Sequence, residues 1–323
     1  MTTTWQRVGG AKDVSYQRNQ SVASVDPRTS LDRAVDHSLQ SMRIDRHAGL
    51  TKAHAVGFGF VAQRIVLVRD QEGGAEMGLM IARMLLDEGA RVVIADQFAD
   101  RIEKAAADLK GHGEVFPVVV DVTQHASVEA LRDAAMAKLG HVDFLIHAAG
   151  VTGPTGDFHT IGDEAWLGAL QIILMGTVRV VRAFVQDMVV RKSGRIILFG
   201  SEDAEQPYPD ELPYCAAKAG VLNLSKGLSK AYSKHGVLVN AVSPAFISTP
   251  MTDAMMEKRA KKNGTSFDAA IESFLREERP TLELKRRGHP EEVAALILFL
   301  CSKQATFING ANMRVDGGSV ATV

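Results

Sequence analysis

Cysteine is scarce in this 323-residue chain, with only Cys215 and Cys301 present. Two thiols cannot build a disulfide framework or a cysteine-rich zinc cluster, and they suit a reducing compartment. Charge of either sign is missing in excess: 37 basic residues face 38 acidic ones, for a net charge of -1. That balance gives no electrostatic reason to expect nucleic acid or an anionic membrane as partner. No apolar run approaches the roughly 20 residues that span a bilayer. The N-terminus lacks a basic start leading into an apolar core, which argues against secretion. Internal repeats and low-complexity tracts are also missing. What remains is the composition of an ordinary globular protein, 46% apolar and 23% charged, and a cytoplasmic one is expected.

The chain changes character near residue 60. Residues 1–60 are rich in Ser, Thr, Asp, Arg and Gln and read as an N-terminal arm or extension. Within it "SLDRAVDHSLQSM" can form a helix, with Ser30 as cap and Leu31, Val35 and Leu39 recurring every four residues. A transit peptide is the rival, but the aspartates at 13, 26, 32 and 36 argue against one.

From residue 61 the pattern becomes regular. "RIVLV" (64–68), "RVVIA" (91–95), "EVFPVVV" (114–120), "VDFLIHA" (142–148), "GRIILFG" (194–200) and "VLVNAVS" (237–243) are short and apolar on both faces. Such runs suit strands covered on both sides. Helical stretches alternate with them, several ending at glycine, and a last strand is expected in "ANMRVDGG" (311–318). This alternation predicts an α/β fold: one Rossmann-like domain over residues 61–323, built on a doubly wound parallel sheet.

"YCAAK" sets Tyr214 and Lys218 four apart, just after Pro213, which suits a first helical turn. Both side chains then share one helix face, one turn apart. An ammonium held near a phenol favours the phenolate, and a phenol so tuned can exchange a proton with an alcohol oxygen. Taken alone, the spacing is common in surface helices. The context adds weight: Ser201 lies directly beyond the buried strand "GRIILFG", at the end of the sheet where ligands bind in such folds. A hydroxyl there can hydrogen-bond the same substrate oxygen that the tyrosine serves.

At this point the sequence resembles the short-chain dehydrogenase/reductases, over residues 61–323. "YCAAKAG" with Ser201 thirteen residues before the tyrosine resembles their Ser-Tyr-Lys triad; "HAAG" (147–150) resembles their N-A-G segment. "SPAFISTPM" (243–251) resembles their P-G-x-x-x-T-P stretch, and "GHPEEVAALILFLCS…NGANMRVDGG" their C-terminal end. The resemblance implies Tyr214 as acid/base, Ser201 orienting the carbonyl or hydroxyl, and Lys218 tuning the tyrosine and holding the nicotinamide ribose. It implies hydride exchange between a nicotinamide and an alcohol or ketone carbon, without a metal. Ala148 and Gly150 of "HAAG", Asp121 and Val122 of "DVT", and Thr249 become candidate cofactor contacts with Tyr214 and Lys218. Asp121 could equally cap the next helix, and Thr249 could be a turn threonine.

The glycine turn departs from the family's T-G-x-x-x-G-x-G. With "MGLMIA" laid on the helix start, the last glycine is Gly78, but Glu76, Glu72 and Gln71 replace the other two glycines and the threonine. Gly73 and Gly74 still permit a tight turn, and Gly78 permits close packing of helix on sheet. A carboxylate about 5 Å from a phosphate charge costs roughly 3 kcal/mol at an effective dielectric near 20. Arg69 or Lys52 could neutralise it, or the side chain could turn to solvent. Asp96, eighteen residues after Gly78, suits a carboxylate accepting from the adenosine ribose and repelling a 2′-phosphate. NAD is therefore expected rather than NADP, although a helix cap would also explain Asp96. His147 stands where the family has asparagine, as a ligand contact or a buried, satisfied histidine. Ile173 replaces the asparagine whose backbone carbonyl holds a relay water in the family, and Ala245 replaces the glycine of P-G.

The segment 248–288 is longer than a connector. Met251, Met255, Met256, Phe267, Ile271 and Phe274 form either the inner face of a lid or a packed core. As a lid face they would suit a small to medium, apolar alcohol or carbonyl substrate. Two helices with wide apolar faces, around "IILMGTVRVVRAFVQDMVV" and "PYCAAKAGVLNLSKGLSKAYSKHG", are expected to pair in a homodimer or homotetramer, as in the family. The main reading is an NAD-linked oxidoreductase. One alternative uses the same acid/base pair in a lyase, isomerase or dehydratase without net hydride transfer; another is a non-catalytic nucleotide sensor.

Overall fold

The computed structural model describes residues 63–69 and 75–322. The N-terminal arm with its expected helix, Lys52, and Gln71, Glu72, Gly73 and Gly74 of the turn lie outside the described residues.

Seven strands form one parallel sheet: β1 (Arg64–Val68), β2 (Arg91–Asp96), β3 (Val115–Val119), β4 (Phe144–His147), β5 (Gly194–Phe199), β6 (Val237–Pro244) and β7 (Asn312–Val315). Their spatial order is β3-β2-β1-β4-β5-β6-β7, the doubly wound arrangement expected from the alternation of elements. The chain runs outward from β1 to β3, crosses back to β4 and runs outward the other way. The strand order thus reverses between β1 and β4, the place where ligands gather in open α/β sheets. Register fixes what emerges there: Val68 lies opposite both Ala95 and His147, and His147 lies opposite Leu198. Arg69, Asp96, Ala148 and Phe199, each one residue further on, therefore stand along a single edge.

Eight α-helices among the described residues cover the sheet: α1 (Ala75–Asp87), α2 (Ala99–Leu109), α3 (His125–Leu139), α4 (Asp163–Arg191), α5 (Leu212–Tyr232), α6 (Pro250–Asn263), α7 (Phe267–Glu277) and α8 (Pro290–Cys301). Alternation along β1 divides the core. Ile65 and Leu67 pack with Ile81 and Leu85 of α1 and Ile297 of α8, while Val66 and Val68 pack with Leu131 of α3, Phe184 of α4 and Val221 of α5. Each such aliphatic side chain, fully buried, stabilises the fold by roughly 1.5–3 kcal/mol relative to exposure. The two edge strands depart from two-sided burial. All of β7 is half-buried, and Val119 of β3 is 51% exposed. A strand with one neighbour lies where the helix layers end.

By length and composition alone α4, at 29 residues, could cross a membrane. Here its Ile173, Val180, Phe184 and Met188 are buried in the core beneath the sheet. The segment after β6 resolves into α6 and α7, whose Met256, Phe274 and Leu275 form a third core with Phe246 and Leu282. The rings of Phe246 and Phe274 lie 4.8 Å apart. Most of the expected apolar stripe is therefore core, and Met251 alone of its methionines lines the cavity described below.

Gly236 closes the turn into β6 at φ 76, and a Cβ there would stand 2.2 Å from the Lys192 carbonyl oxygen. Neither fault has a flexible side chain to absorb it. Gly236→Ala is expected to lower unfolding free energy by about 2–4 kcal/mol in urea melts, the combined cost of left-handed backbone and a backbone clash.

Candidate active site

Lys218 is almost wholly buried, and its ammonium is fixed from two sides. Its Nζ donates to the Phe199 carbonyl oxygen at 3.0 Å, at the end of β5, and sits 5.6 Å from the centre of the Tyr214 ring. The first two turns of α5, with Pro213 near the start, place both residues on one face as the four-residue spacing predicts. Ser201 follows β5 by two residues and caps the short turn Glu202–Ala204, its Oγ accepting from the Asp203 N–H at 3.3 Å. Ser201, Tyr214 and Lys218 line one cavity of about 110 Å³ together with Ala148, Thr249 and Met251. Thr249 also caps α6, its Oγ accepting from the Thr252 N–H at 3.4 Å, so it is both a helix cap and part of the wall. Ala245 is not among the described residues with positive φ, so glycine is not required there.

The other expected contacts lie toward β2 and β3. Asp96 is 1% exposed; its Oδ1 accepts from the Phe98 N–H at 3.1 Å, closing a turn ahead of α2 without capping that helix. Its Oδ2 faces the guanidinium of Arg69 at 4.0 Å. Asp121 Oδ1 accepts from the backbone N–H and hydroxyl of Thr123, at 2.8 and 2.7 Å, so it shapes its own turn; the N-cap position of α3 falls to Gln124, whose side chain makes no capping bond. Val122 buries its side chain against Gly176 of α4, and its carbonyl accepts from Arg179 at 3.3 Å. Gly150 is buried in the loop after β4. Glu76 turns to solvent from the first turn of α1, where a carboxylate favours the helix dipole.

Two departures from the family pattern have structural consequences. His147 is 2% exposed with no hydrogen-bond partner for either ring nitrogen, so it is buried but not satisfied. Burial, and then the charge of Lys218, push its pKa down to about 3 and keep the ring neutral. The carbonyl of Ile173 accepts from the Thr177 hydroxyl at 2.6 Å, a bond back along the helix that occupies one of its two lone pairs.

A carboxyl cluster beside Ser201 was not legible in the sequence. Glu202 and Asp203 are buried beneath the Arg279 guanidinium, which lies 3.6 Å from Glu202 Oε1 and 3.4 Å from the centre of the Tyr208 ring. Burial raises the pKa of both carboxyls. Burial and the neighbouring Asp203 also push Glu211 up to about 7. The one available signal was the run of acids in "SEDAEQPYPDE"; a solvated loop would look the same.

Residues 74–320 match the family model described as enoyl-(acyl carrier protein) reductase. The chain belongs to the short-chain dehydrogenase/reductase family. Among similar members of this family, cis-4-hydroxycyclohexanecarboxylate dehydrogenase of Sinomonas cyclohexanicum is 34% identical over 262 residues, covering 80% of this chain and 98% of the relative. The structure of L-sorbose reductase from Gluconobacter frateurii, complexed with NADPH and L-sorbose, superposes with a TM-score of 0.77 at 32% identity, covering 83% of this chain and all of the other. NAD⁺-bound xylitol dehydrogenase shares the fold, with a TM-score of 0.72 at 23% identity, covering 80% of this chain and 99% of the other.

Because Glu211 has a higher pKa folded than its ordinary 4.5, its contribution to stability is present below about 4.5 and lost as pH rises through about 7. Glu211→Gln keeps a group that can donate to Asp203 and removes this titration. In thermal melts from about pH 5 to about pH 8, the variant is expected to lose less Tm than the wild type. Parallel curves would contradict a raised pKa.

Proposed function

We propose that this short-chain dehydrogenase/reductase interconverts an alcohol with a ketone or aldehyde, using a nicotinamide dinucleotide and Ser201, Tyr214 and Lys218. The observation that carries this reading is the Lys218 ammonium held beside the Tyr214 ring, with Ser201 lining the same cavity at the carboxyl edge of the sheet. In the direction of reduction, the Ser201 hydroxyl donates to the substrate carbonyl oxygen and orients it. The Tyr214 phenol delivers a proton to that oxygen as it gains negative charge. The fixed charge of Lys218 favours the phenolate left behind. A bound nicotinamide supplies the hydride. The low exposure of Ser201 and Lys218 keeps bulk water from competing for these contacts.

The residues present fit a dinucleotide. Asp96 supplies a carboxylate for the adenosine ribose at the end of β2, and its charge favours NAD over NADP. Ala148 and Thr249 stand beside the triad where the nicotinamide end would lie. Ile247 and Met251 give the cavity an apolar side, which supports a small to medium, apolar substrate. Residues 61–323 form the catalytic domain in this reading, with residues 1–60 as an extension. Leu167 and Val190 of α4, 58% and 73% exposed, are apolar residues left uncovered on a helix expected to pair, which supports a homodimer or homotetramer, and two buried free cysteines suit the cytoplasm.

Tyr214→Phe tests the reading. It removes one hydroxyl and leaves the ring beside Lys218. Turnover of a secondary-alcohol substrate is expected to fall by about 10²- to 10⁴-fold, the usual contribution of general acid-base catalysis. NADH affinity, followed by its fluorescence, is expected to stay within about twofold. Retained turnover would remove the phenol from the mechanism.

A further inference from the structure

Arg69 follows β1 directly. Its backbone N–H donates to the Ala95 carbonyl at 2.8 Å, which fixes it to the carboxyl edge of the sheet between β1 and β2. The side chain turns inward and is 6% exposed. Its stem crosses the first turn of α1: a Cβ on Gly78 would stand 2.9 Å from Arg69 Cγ, so the missing side chain of Gly78 makes room for the arginine. The guanidinium reaches Asp96 with Nη2 at 4.0 Å from Oδ2, a charge contact too long for a hydrogen bond. Arg69 Nε and Nη1 and Asp96 Oδ2 have no hydrogen-bond partner, although all three atoms are buried.

This is an uncommon state for a guanidinium. Buried donors are nearly always satisfied, and a planar fork of N–H groups matches the oxygens of a phosphate. The stem lies against the start of a 13-residue helix, whose dipole also favours an anion. The family's phosphate-binding turn lacks two of its glycines here and carries Glu76 in their region, so some other group must favour the phosphates. Arg69 is a fixed cation at that place.

We propose that Arg69 takes a pyrophosphate oxygen of the bound dinucleotide, exchanging its long contact with Asp96 for a charge-assisted hydrogen bond and freeing the Asp96 carboxylate for the adenosine ribose hydroxyls. The assignment rests on the dinucleotide reading above and adds a phosphate contact that the glycine motif does not supply. The stem's path over Gly78 brings the arginine past the helix start, where phosphates bind in such folds, before it reaches Asp96. The pair also explains how a carboxylate as buried as Asp96 stays compatible with folding before any ligand arrives.

Fragment binding to the full chain tests this. ADP and adenosine, each competed against NADH fluorescence, differ only in the diphosphate. Arg69→Gln is expected to weaken NADH and ADP by about 10- to 100-fold while adenosine stays within about twofold; Arg69→Lys should recover part of the loss. Removing the arginine alone leaves Asp96 buried without a counter-ion, so Asp96→Asn and the double variant R69Q/D96N are measured beside it. The preference for ADP over adenosine should fall from D96N to R69Q/D96N by the same factor. Equal weakening of ADP and adenosine, no change in either, or a loss confined to NADPH would each overturn the assignment. If the wild type binds neither NADH nor ADP, the dinucleotide reading itself is wrong and Arg69 falls with it. If it binds both and R69Q binds them equally well, only the role of Arg69 is wrong.

Discussion

The candidate site is built around one buried cation, Lys218. Lys218 would be costly to desolvate without compensation, and the Phe199 carbonyl and the face of the Tyr214 ring supply it. Holding the ammonium on the end of a strand makes its field a fixed property of the fold. That field adds to burial in keeping His147 neutral, and in the proposed reaction it would favour the ionised phenol of Tyr214. A positive charge at His147 would set two cations against each other in a low dielectric, so one site remains for the charge.

The sheet is what gathers the other groups around that cation. Parallel strands in register bring Arg69, Asp96, Ala148 and Phe199 out along one edge, although up to 130 residues separate them in the chain. Asp96 and Phe199 stand on strands three spacings apart, about 14 Å at the usual strand separation. An elongated ligand laid across the reversal between β1 and β4 would meet a carboxylate at one end and the Ser-Tyr-Lys group at the other. The same register sets the end of β1 two strand spacings from the end of β5, which leads into Ser201.

Near Ser201 the structure adds polar groups that the expected mechanism did not include. Asp203 contributes the backbone N–H that the serine hydroxyl accepts, while its carboxyl is buried with Glu202 near Arg279. Acids packed this closely favour protonated forms, and their titration is tied to the stability of the loop that carries the serine. The site thus sits on a base whose charge depends on pH, between the cavity and the C-terminal segment.

The sequence by itself determined the repeating strand and helix pattern, because unbroken β-branched runs and periodic apolar stripes are local signals. It also determined that Tyr214 and Lys218 share a helix face, since a four-residue spacing is a fixed rotation in any α-helix. Whether the apolar stripe of 248–288 was lid or core could not be read there; Phe246, on the loop ahead of α6, packs on Phe274 and makes most of it core. Burial of Glu202 and Asp203 was equally hidden, because an acidic run looks the same in a solvated loop until Arg279, far along the chain, covers it. Arg69 was legible only as one possible counter-charge to the glutamates of the turn. Tertiary structure decided that it lies on Gly78 and faces Asp96, because that contact joins the ends of two strands to the start of a helix, and no local pattern encodes the distance between them.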